Sequence, residues 1–334
     1  MERRTALGLI GLAGLGFAAR PARAQMHQKQ LVMITDLMGT PWSARLEKGL
    51  SQGGQGFFVN THLIGPSEPD TGRQAALMQR LIDGKEGPID AIALLPLETA
   101  ALSPLVQSAR DAGMLVLTLQ GSAIEGRSWD IEPVDPAAFG ALQMQALAQE
   151  MGGQGKYVIY VGTLAMPAHT LWAEAAIAHQ KAHFPAMSLA APRFPDGFDL
   201  KASARITAEI IESFPDLGGI LAFGENGVIG AAQTIAARNL GARIAVVGTA
   251  LPSQARDLLL QGAIRRAFCW SPSDAGLALA SVAGMIFTGH ALRTGVEVPG
   301  LGLAAIEPQH HVIRADRVIT IDRASLPGLL AQGL

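Results

Sequence analysis

Short apolar segments alternate with longer amphipathic segments along nearly the whole sequence, and this alternation restricts the possible folds more than any other feature. The apolar segments predict strands at 31–37, 58–64, 91–97, 115–119, 157–161, 188–194, 219–223 and 244–248. The amphipathic segments that follow predict helices at 41–53, 71–84, 99–112, 137–151, 169–184, 200–213, 226–240 and 252–261. Strands that are apolar on both faces indicate a parallel sheet covered by helices. The pattern therefore predicts βαβ units with right-handed crossovers.

The alternation restarts once, which predicts two domains, and a length of 334 residues suits that number. The segment 130–136 (DIEPVDP) interrupts the pattern after four units, and 267–272 (AFCWSP) followed by a helix at 273–289 indicates a return to the first domain. The tail at 312–326 resembles a final strand pair. We predict an α/β fold of two doubly wound, Rossmann-like parallel sheets joined by three chain crossings. The predicted domains are 25–128 with 270–311, and 129–269 with 312–334.

The first 24 residues are typical of a secretory signal peptide. Arg3 and Arg4 precede the apolar stretch Thr5–Ala19, and small residues at 22–24 form a cleavage pattern. The stretch is too short for a spanning helix. A buried amphipathic helix is the alternative interpretation. We expect cleavage after Ala24, export to the periplasm by the Sec or the Tat route, and no membrane insertion.

Charge and cysteine content exclude several classes of protein. The 26 Lys and Arg residues nearly balance the 28 Asp and Glu residues, which excludes a strongly basic nucleic-acid binder. The single cysteine, Cys269, excludes an intramolecular disulfide and any multi-cysteine metal site. His310 and His311 are adjacent, and adjacent strand residues point to opposite faces. We therefore expect no metal and no cofactor.

Two short motifs could suggest an enzyme, but neither has the required context. Gly49–Gly53 (GLSQG) matches G-x-S-x-G, yet a predicted helix precedes it where a nucleophile elbow needs a strand. We interpret it as the end of a helix. Gly224–Gly227 joins a predicted strand to a helix but lacks the dinucleotide pattern. The sequence predicts no catalytic residues and no enzymatic activity.

Several segments, in their order and spacing, resemble the type I periplasmic binding proteins of sugar ABC transporters. They are Val32–Asp36 with 37–40, Gly65–Pro69 (GPSEP), Asp90–Leu95 (DAIALL), Ala112–Thr118 (AGMLVLT) and Phe223–Asn226. The resemblance covers essentially all of the chain after the predicted signal. Gly65–Pro69 and the stretch around Trp270 are most similar to the autoinducer- and rhamnose-binding branch. The resemblance implies a two-domain receptor that closes on a small ligand and delivers it to a membrane permease.

In doubly wound sheets, ligands bind beyond the carboxyl ends of the strands, so we expect a site in the cleft between the two domains. The candidate ligand-binding residues are Asp36, Trp42, Pro96, Gln120, His169, Glu225, Asn226, Trp270 and Asp274. Planar polar groups can bond to hydroxyls, and tryptophan can stack on the apolar face of a sugar. Asp36 could instead cap the following helix, and Trp42 and Trp172 could be core residues.

The predicted site departs from the autoinducer-binding branch at three polar positions. Asp36 stands where those proteins have lysine, Gln120 where they have aspartate, and Ala168-His169 where they have an Asp-Gln pair. These changes argue against the autoinducer and favour a small neutral sugar or polyol. A more apolar ligand is one alternative. A second alternative for the function is a periplasmic sensor that signals to a membrane histidine kinase.

Overall fold

The computed structural model describes residues 28–195 and 197–334, so the predicted signal peptide lies outside the described residues. The first part of the described chain alternates strictly between strands and helices until a fifth strand follows the fourth directly. Its elements are β1 (Lys29–Ile34), α1 (Pro41–Phe57), β2 (Val59–Ile64), α2 (Thr71–Ile82), β3 (Ala91–Leu94), α3 (Thr99–Asp111), β4 (Leu115–Leu119) and β5 (Trp129–Glu132).

The middle of the chain repeats the alternation. Its elements are α4 (Pro136–Glu150), β6 (Gly155–Tyr160), α5 (Pro167–His183), β7 (Met187–Leu189), α6 (Leu200–Ser213), β8 (Leu217–Ala222), α7 (Glu225–Ala237), β9 (Ala245–Thr249), α8 (Pro252–Gln261) and β10 (Arg266–Cys269). The last part has shorter elements. They are α9 (Pro272–Phe287), β11 (Glu297–Val298), β12 (Gly302–Leu303), β13 (Ala305–Glu307), β14 (Val312–Arg314), β15 (Ile319–Ile321) and α10 (Leu326–Ala331).

Two large sheets organise these elements, and both are doubly wound. The first has the order β13-β14-β5-β4-β3-β1-β2, and the second has the order β15-β10-β9-β8-β6-β7. Only the pairs β13–β14 and β10–β15 within them are antiparallel. The strand order reverses between β1 and β3 in the first sheet and between β6 and β8 in the second. These switch points are where open α/β sheets leave a crevice for a ligand.

The chain passes between the two sheets three times, as predicted, but two crossings differ from the predicted boundaries. β5 pairs with β4, and β14 pairs with β5, so residues 129–132 and 312–314 belong to the first sheet. The predicted boundaries assigned both segments to the second domain. The crossings lie at 133–135, 270–271 and 315–318. β14 and β15 therefore belong to different sheets and do not form the strand pair predicted for the tail.

Close packing between α1 and α9 explains the G-x-S-x-G motif without any catalytic role. A Cβ atom on Gly49 would lie 1.8 Å from the Ser273 carbonyl oxygen, and one on Gly276 would lie 2.1 Å from the Leu46 carbonyl oxygen. The glycines thus let the two helix backbones approach closely. The motif lies inside α1, which continues to Phe57, beyond the predicted end at residue 53.

Within the ranges 28–195 and 197–334, no helix combines the length and the apolar character needed to cross a membrane.

Candidate functional site

A cavity lies between the carboxyl ends of the two sheets, next to both switch points. On the side of the first sheet, it is lined by Asp36, Leu37, Thr40, Trp42, Leu95 and Gln120. On the side of the second sheet and its crossing, it is lined by Met166, His169, Trp172, Phe198, Phe223, Glu225, Thr249 and Trp270. Asp36 and Glu225 are each only 8% exposed, so the two domains together shield these polar groups from solvent.

The structure brings most of the predicted site residues together around this cavity. Those that line it are Asp36, Trp42, Gln120, His169, Glu225 and Trp270. Each of them follows the carboxyl end of a strand or lies in the first turn of the next helix. This is where the sequence analysis expected ligand-binding residues. The other predicted residues, Pro96, Asn226 and Asp274, are not part of the lining.

Each of these three residues has a structural role outside the cavity. The Pro96 ring packs against Gly121. A Cβ atom added to Gly121 would lie only 3.1 Å from that ring. The Asn226 Nδ2 donates a hydrogen bond of 2.8 Å to the Phe198 carbonyl oxygen, so Asn226 positions the loop that carries Phe198. Asp274 is 40% exposed in the first turn of α9, where its carboxylate lies 3.8 Å from Arg317.

Asp36 is the second residue after β1 and contributes a buried carboxyl group to the cavity. The Thr35 hydroxyl donates a hydrogen bond of 3.0 Å to Asp36 Oδ1. Burial outweighs the hydrogen bonds that Asp36 accepts and raises its pKa to about 6. The alternative role as a helix cap is not observed, because the Thr40 side chain accepts the hydrogen bond from the Ser43 amide and caps α1.

Glu225 begins α7 on the opposite domain and supplies the second carboxyl group. Burial raises its pKa to about 7, and the negative charge of Asp36 acts in the same direction. Hydrogen bonds with the side chains of Thr40 and Gln254 oppose this shift. Glu225 Oε2 has no hydrogen-bond partner among the described residues. Burying an oxygen without a hydrogen-bond partner costs free energy. This oxygen is therefore suited to accept a hydrogen bond from a ligand.

His169 is a neutral hydrogen-bond donor in this cavity. Its Nδ1 accepts a hydrogen bond of 2.8 Å from the Gly162 amide, so the ring proton is on Nε2. Burial lowers the pKa of His169 to about 3, and the ring therefore stays neutral at physiological pH. The fixed Nδ1 cannot act as a free base, which leaves the Nε2–H group to bind a ligand.

Three more buried donors in the cavity have no hydrogen-bond partner in the part of the chain that the structure describes. They are Gln120 Nε2, Trp172 Nε1 and Trp270 Nε1. Gln120 has a φ of 54°, which is an uncommon conformation for a residue other than glycine. Next to it, the Asp130 carboxylate accepts hydrogen bonds from the Gly121 amide at 2.8 Å and the Thr118 hydroxyl at 2.6 Å. This buried network holds the backbone that presents Gln120 to the cavity.

Aromatic rings form the walls of the cavity. The rings of Trp42 and Trp270 meet edge to face, with centroids 4.7 Å apart. His169 lies 5.0 Å from Trp172 and 5.6 Å from Phe198 between ring centroids. Trp42 belongs to the first domain, whereas Trp270 lies in the chain crossing at 270–271. The aromatic walls are therefore not formed by one domain alone.

Sequence reasoning missed Thr40, Phe198 and Thr249 and left Trp172 between core and site. Thr249 is the last residue of β9, one residue beyond the predicted strand at 244–248. Thr40 caps α1 and lies one residue before the predicted helix at 41–53. Phe198 lies in an irregular loop before α6, where no periodic pattern indicates its direction. Trp172 is 2% exposed and lines the cavity, which makes it both a core residue and a wall.

The side chains of the site are suited to binding a small polar ligand. The cavity combines neutral donors, two carboxyl groups and aromatic surface, and none of the described lining residues is Lys, Arg, Ser or Cys. In the described ranges, no three His, Cys, Asp or Glu side chains are grouped so that they could hold a metal ion. Such a set can hydrogen-bond to hydroxyl or amino groups and stack on apolar faces.

Two doubly wound domains that enclose a polar, aromatic-walled cavity define an interdomain ligand-binding protein. The family model described as periplasmic binding protein domain matches residues 31–291. The chain therefore belongs to the periplasmic binding protein family, and the predicted resemblance to its type I members is confirmed. Proteins of this family bind substrates and are not enzymes.

Two solved structures share this fold. An ABC transporter solute-binding protein from Clostridium phytofermentas with bound L-rhamnose superimposes with a TM-score of 0.82 at 20% identity, over 91% of this chain and 99% of that one. LsrB from Clostridium saccharobutylicum in complex with AI-2 gives a TM-score of 0.80 at 16% identity, over 90% of this chain and 99% of that one. These similarities confirm the predicted fold class.

A curated relative is more similar in sequence over a shorter stretch. The xylitol-binding protein of Mycolicibacterium smegmatis is 36% identical over 97 residues, which are 28% of this chain and 26% of that protein. The match thus spans about a quarter of the relative's length.

Proposed function

We propose that this protein is an exported receptor of an ABC importer that binds a small neutral sugar or polyol between its domains. The observation that carries the proposal is the convergence of buried, unpartnered polar atoms on one cavity, namely Gln120 Nε2, Trp172 Nε1, Trp270 Nε1 and Glu225 Oε2. A polyol hydroxyl both donates and accepts hydrogen bonds, so one small molecule can pair with groups of both kinds.

The aromatic walls support the same class of ligand. A sugar or polyol has an apolar C–H face that packs against indole rings, while its hydroxyls point to polar side chains. Each neutral hydrogen bond contributes only about 0.5–1.5 kcal/mol, so several must act together to hold the ligand. The similarity to a xylitol-binding protein makes pentitols the first ligands to test.

Delivery to a permease and export follow from the same proposal. Family membership supports a function outside the cytoplasm, and cleavage after Ala24 would release the receptor. Amino-terminal sequencing of the protein recovered from periplasm tests the cleavage site. Co-purification with an ABC transporter permease tests the importer, whereas co-purification with a histidine kinase would favour the sensor.

Binding itself is tested with purified protein, a panel of pentitols, hexitols and monosaccharides, and isothermal titration calorimetry. Replacing Asp36 by alanine removes a buried group of the cavity, and we expect at least a tenfold loss of affinity, or about 1.4 kcal/mol. Asp274→Ala is the matched control, because Asp274 is exposed outside the cavity. Binding that is unchanged in Asp36→Ala would remove Asp36 from the site. A wild-type protein that binds no member of the panel would refute the proposed ligand class.

A further inference from the structure

The carboxyl groups of Asp36 and Glu225 face one cavity from opposite domains without a basic partner. Both line the cavity and both are 8% exposed. None of the described lining residues is lysine or arginine, and the one histidine, His169, uses Nδ1 to accept the Gly162 amide proton. The cavity of the closed protein therefore contains two acids and no positive charge to balance them.

Burying two like charges is unfavourable unless a cation or a proton compensates them. The structure reflects this cost, because burial raises the pKa of both acids and the charge of Asp36 further raises the pKa of Glu225. The unpartnered Glu225 Oε2 marks the position where a donor from the ligand is missing. A purely neutral polyol can donate a hydrogen bond there, but it cannot balance the charge.

The aromatic walls favour a cation at the same place. Trp42, Trp172 and Trp270 line the cavity together with Phe198 and Phe223. The face of an aromatic ring attracts a positive charge, and the attraction is worth most where water is excluded. Carboxylates and indole rings around one small volume form the combination that recognises an ammonium group in proteins.

We infer that the preferred ligand is a small sugar or polyol that carries a protonated amine, with its ammonium group held between Asp36 and Glu225. The inference rests on the proposed function, because it takes the hydroxyl-binding part of the cavity as given. It adds one feature of the substrate class: an amine at one carbon in place of a hydroxyl. A primary alkylamine of this kind is protonated at neutral pH.

The test compares matched pairs of ligands that differ in a single functional group. Xylitol, D-arabinitol and D-glucitol are each titrated against their 1-amino-1-deoxy analogues by calorimetry at pH 7.5. We expect at least one amine to bind tenfold or more tightly than its alcohol, because a charge-assisted bond replaces a neutral one. In the double variant Asp36→Asn/Glu225→Gln, the preference for the amine should disappear, whatever happens to the absolute affinities. Asp274→Asn should retain the preference, because it removes an acid outside the cavity.

The outcomes separate the inference from the proposed function. If alcohols bind and amines bind equally or more weakly, the inference is wrong and the proposed function stands. If amines bind and alcohols do not, the inference holds, and the receptor function stands with an amino polyol in place of the neutral ligand. If neither binds, both are wrong. A preference for the amine that persists in the double variant would overturn the assignment to Asp36 and Glu225.

Discussion

Asp36 and Glu225 make the stability of the closed protein depend on pH. Their pKa values are about 6 and about 7 in the folded protein, above the ordinary 3.8 and 4.5. Between about pH 4 and pH 7, the folded state therefore binds more protons than the unfolded state, and these groups lower stability as the pH rises. We expect the double variant Asp36→Asn/Glu225→Gln to gain about 5 kcal/mol relative to wild type between pH 4 and pH 7.5. Urea unfolding at several pH values in this range measures the gain.

The comparison between variant and wild type removes the contribution of other titrating groups. Asp274→Asn serves as the control, because it removes a carboxylate that lies outside the cavity. A difference between the double variant and wild type that does not change with pH would contradict the burial of the two acids in the ligand-free protein.

At the same scale, the sequence could indicate which residues follow strand ends but not which way their side chains point. Asp36 and Gln120 were predictable because the carboxyl ends of parallel strands meet at one edge. Glu225 and Asn226 are adjacent, and the exact start of α7 decides which of them faces the cavity, since one residue turns a helix by about 100°. Phe198 could not be predicted, because backbone contacts such as that between Gly224 and Gly197 place its loop.

The contact between α1 and α9 can be tested with two glycines of one helix. A Cβ on Gly49 would lie 1.8 Å from a backbone oxygen of α9, whereas one on Gly56 would have nothing within 4 Å. We expect Gly49→Ala to destabilise the protein by about 1–3 kcal/mol through overpacking. Gly56→Ala should stabilise it by about 0.5–1 kcal/mol, because alanine loses less backbone entropy in a helix. Denaturant unfolding of both variants measures the difference, and equal effects would contradict the close packing.

The strand β5 shows why one predicted boundary was wrong. Its residues Asp130 and Glu132 are polar and resemble a loop in the sequence, yet both are almost fully buried. Burial raises the pKa of both acids, and the pairing of Glu132 with the negatively charged Asp130 raises the pKa of Glu132 further. Because this pairing depends on the assembled sheet, the local pattern could not reveal a strand.

On the scale of the whole molecule, the side chains around the cavity belong to one hydrophobic core that the two domains share. One continuous hydrophobic cluster contains Leu31 of the first sheet and Tyr157 of the second, and it includes Trp172 and Trp270 at the cavity. Three chain crossings also connect the domains. Contacts across the cleft, and a ligand that touches both sides, therefore control whether the domains stay together.

We expect ligand binding to shift the protein towards this closed form. Small-angle X-ray scattering of the ligand-free protein should give a larger radius of gyration than the same protein saturated with its ligand, because hinge closure makes a two-domain molecule more compact. Asp36→Ala should stay expanded at the ligand concentration that closes wild type, since one side of the bridge is missing. A radius that stays constant while calorimetry reports saturation would mean that the ligand enters a cleft that is already closed. The hydrophobic contacts across the cleft, and not the ligand, would then hold the two domains together.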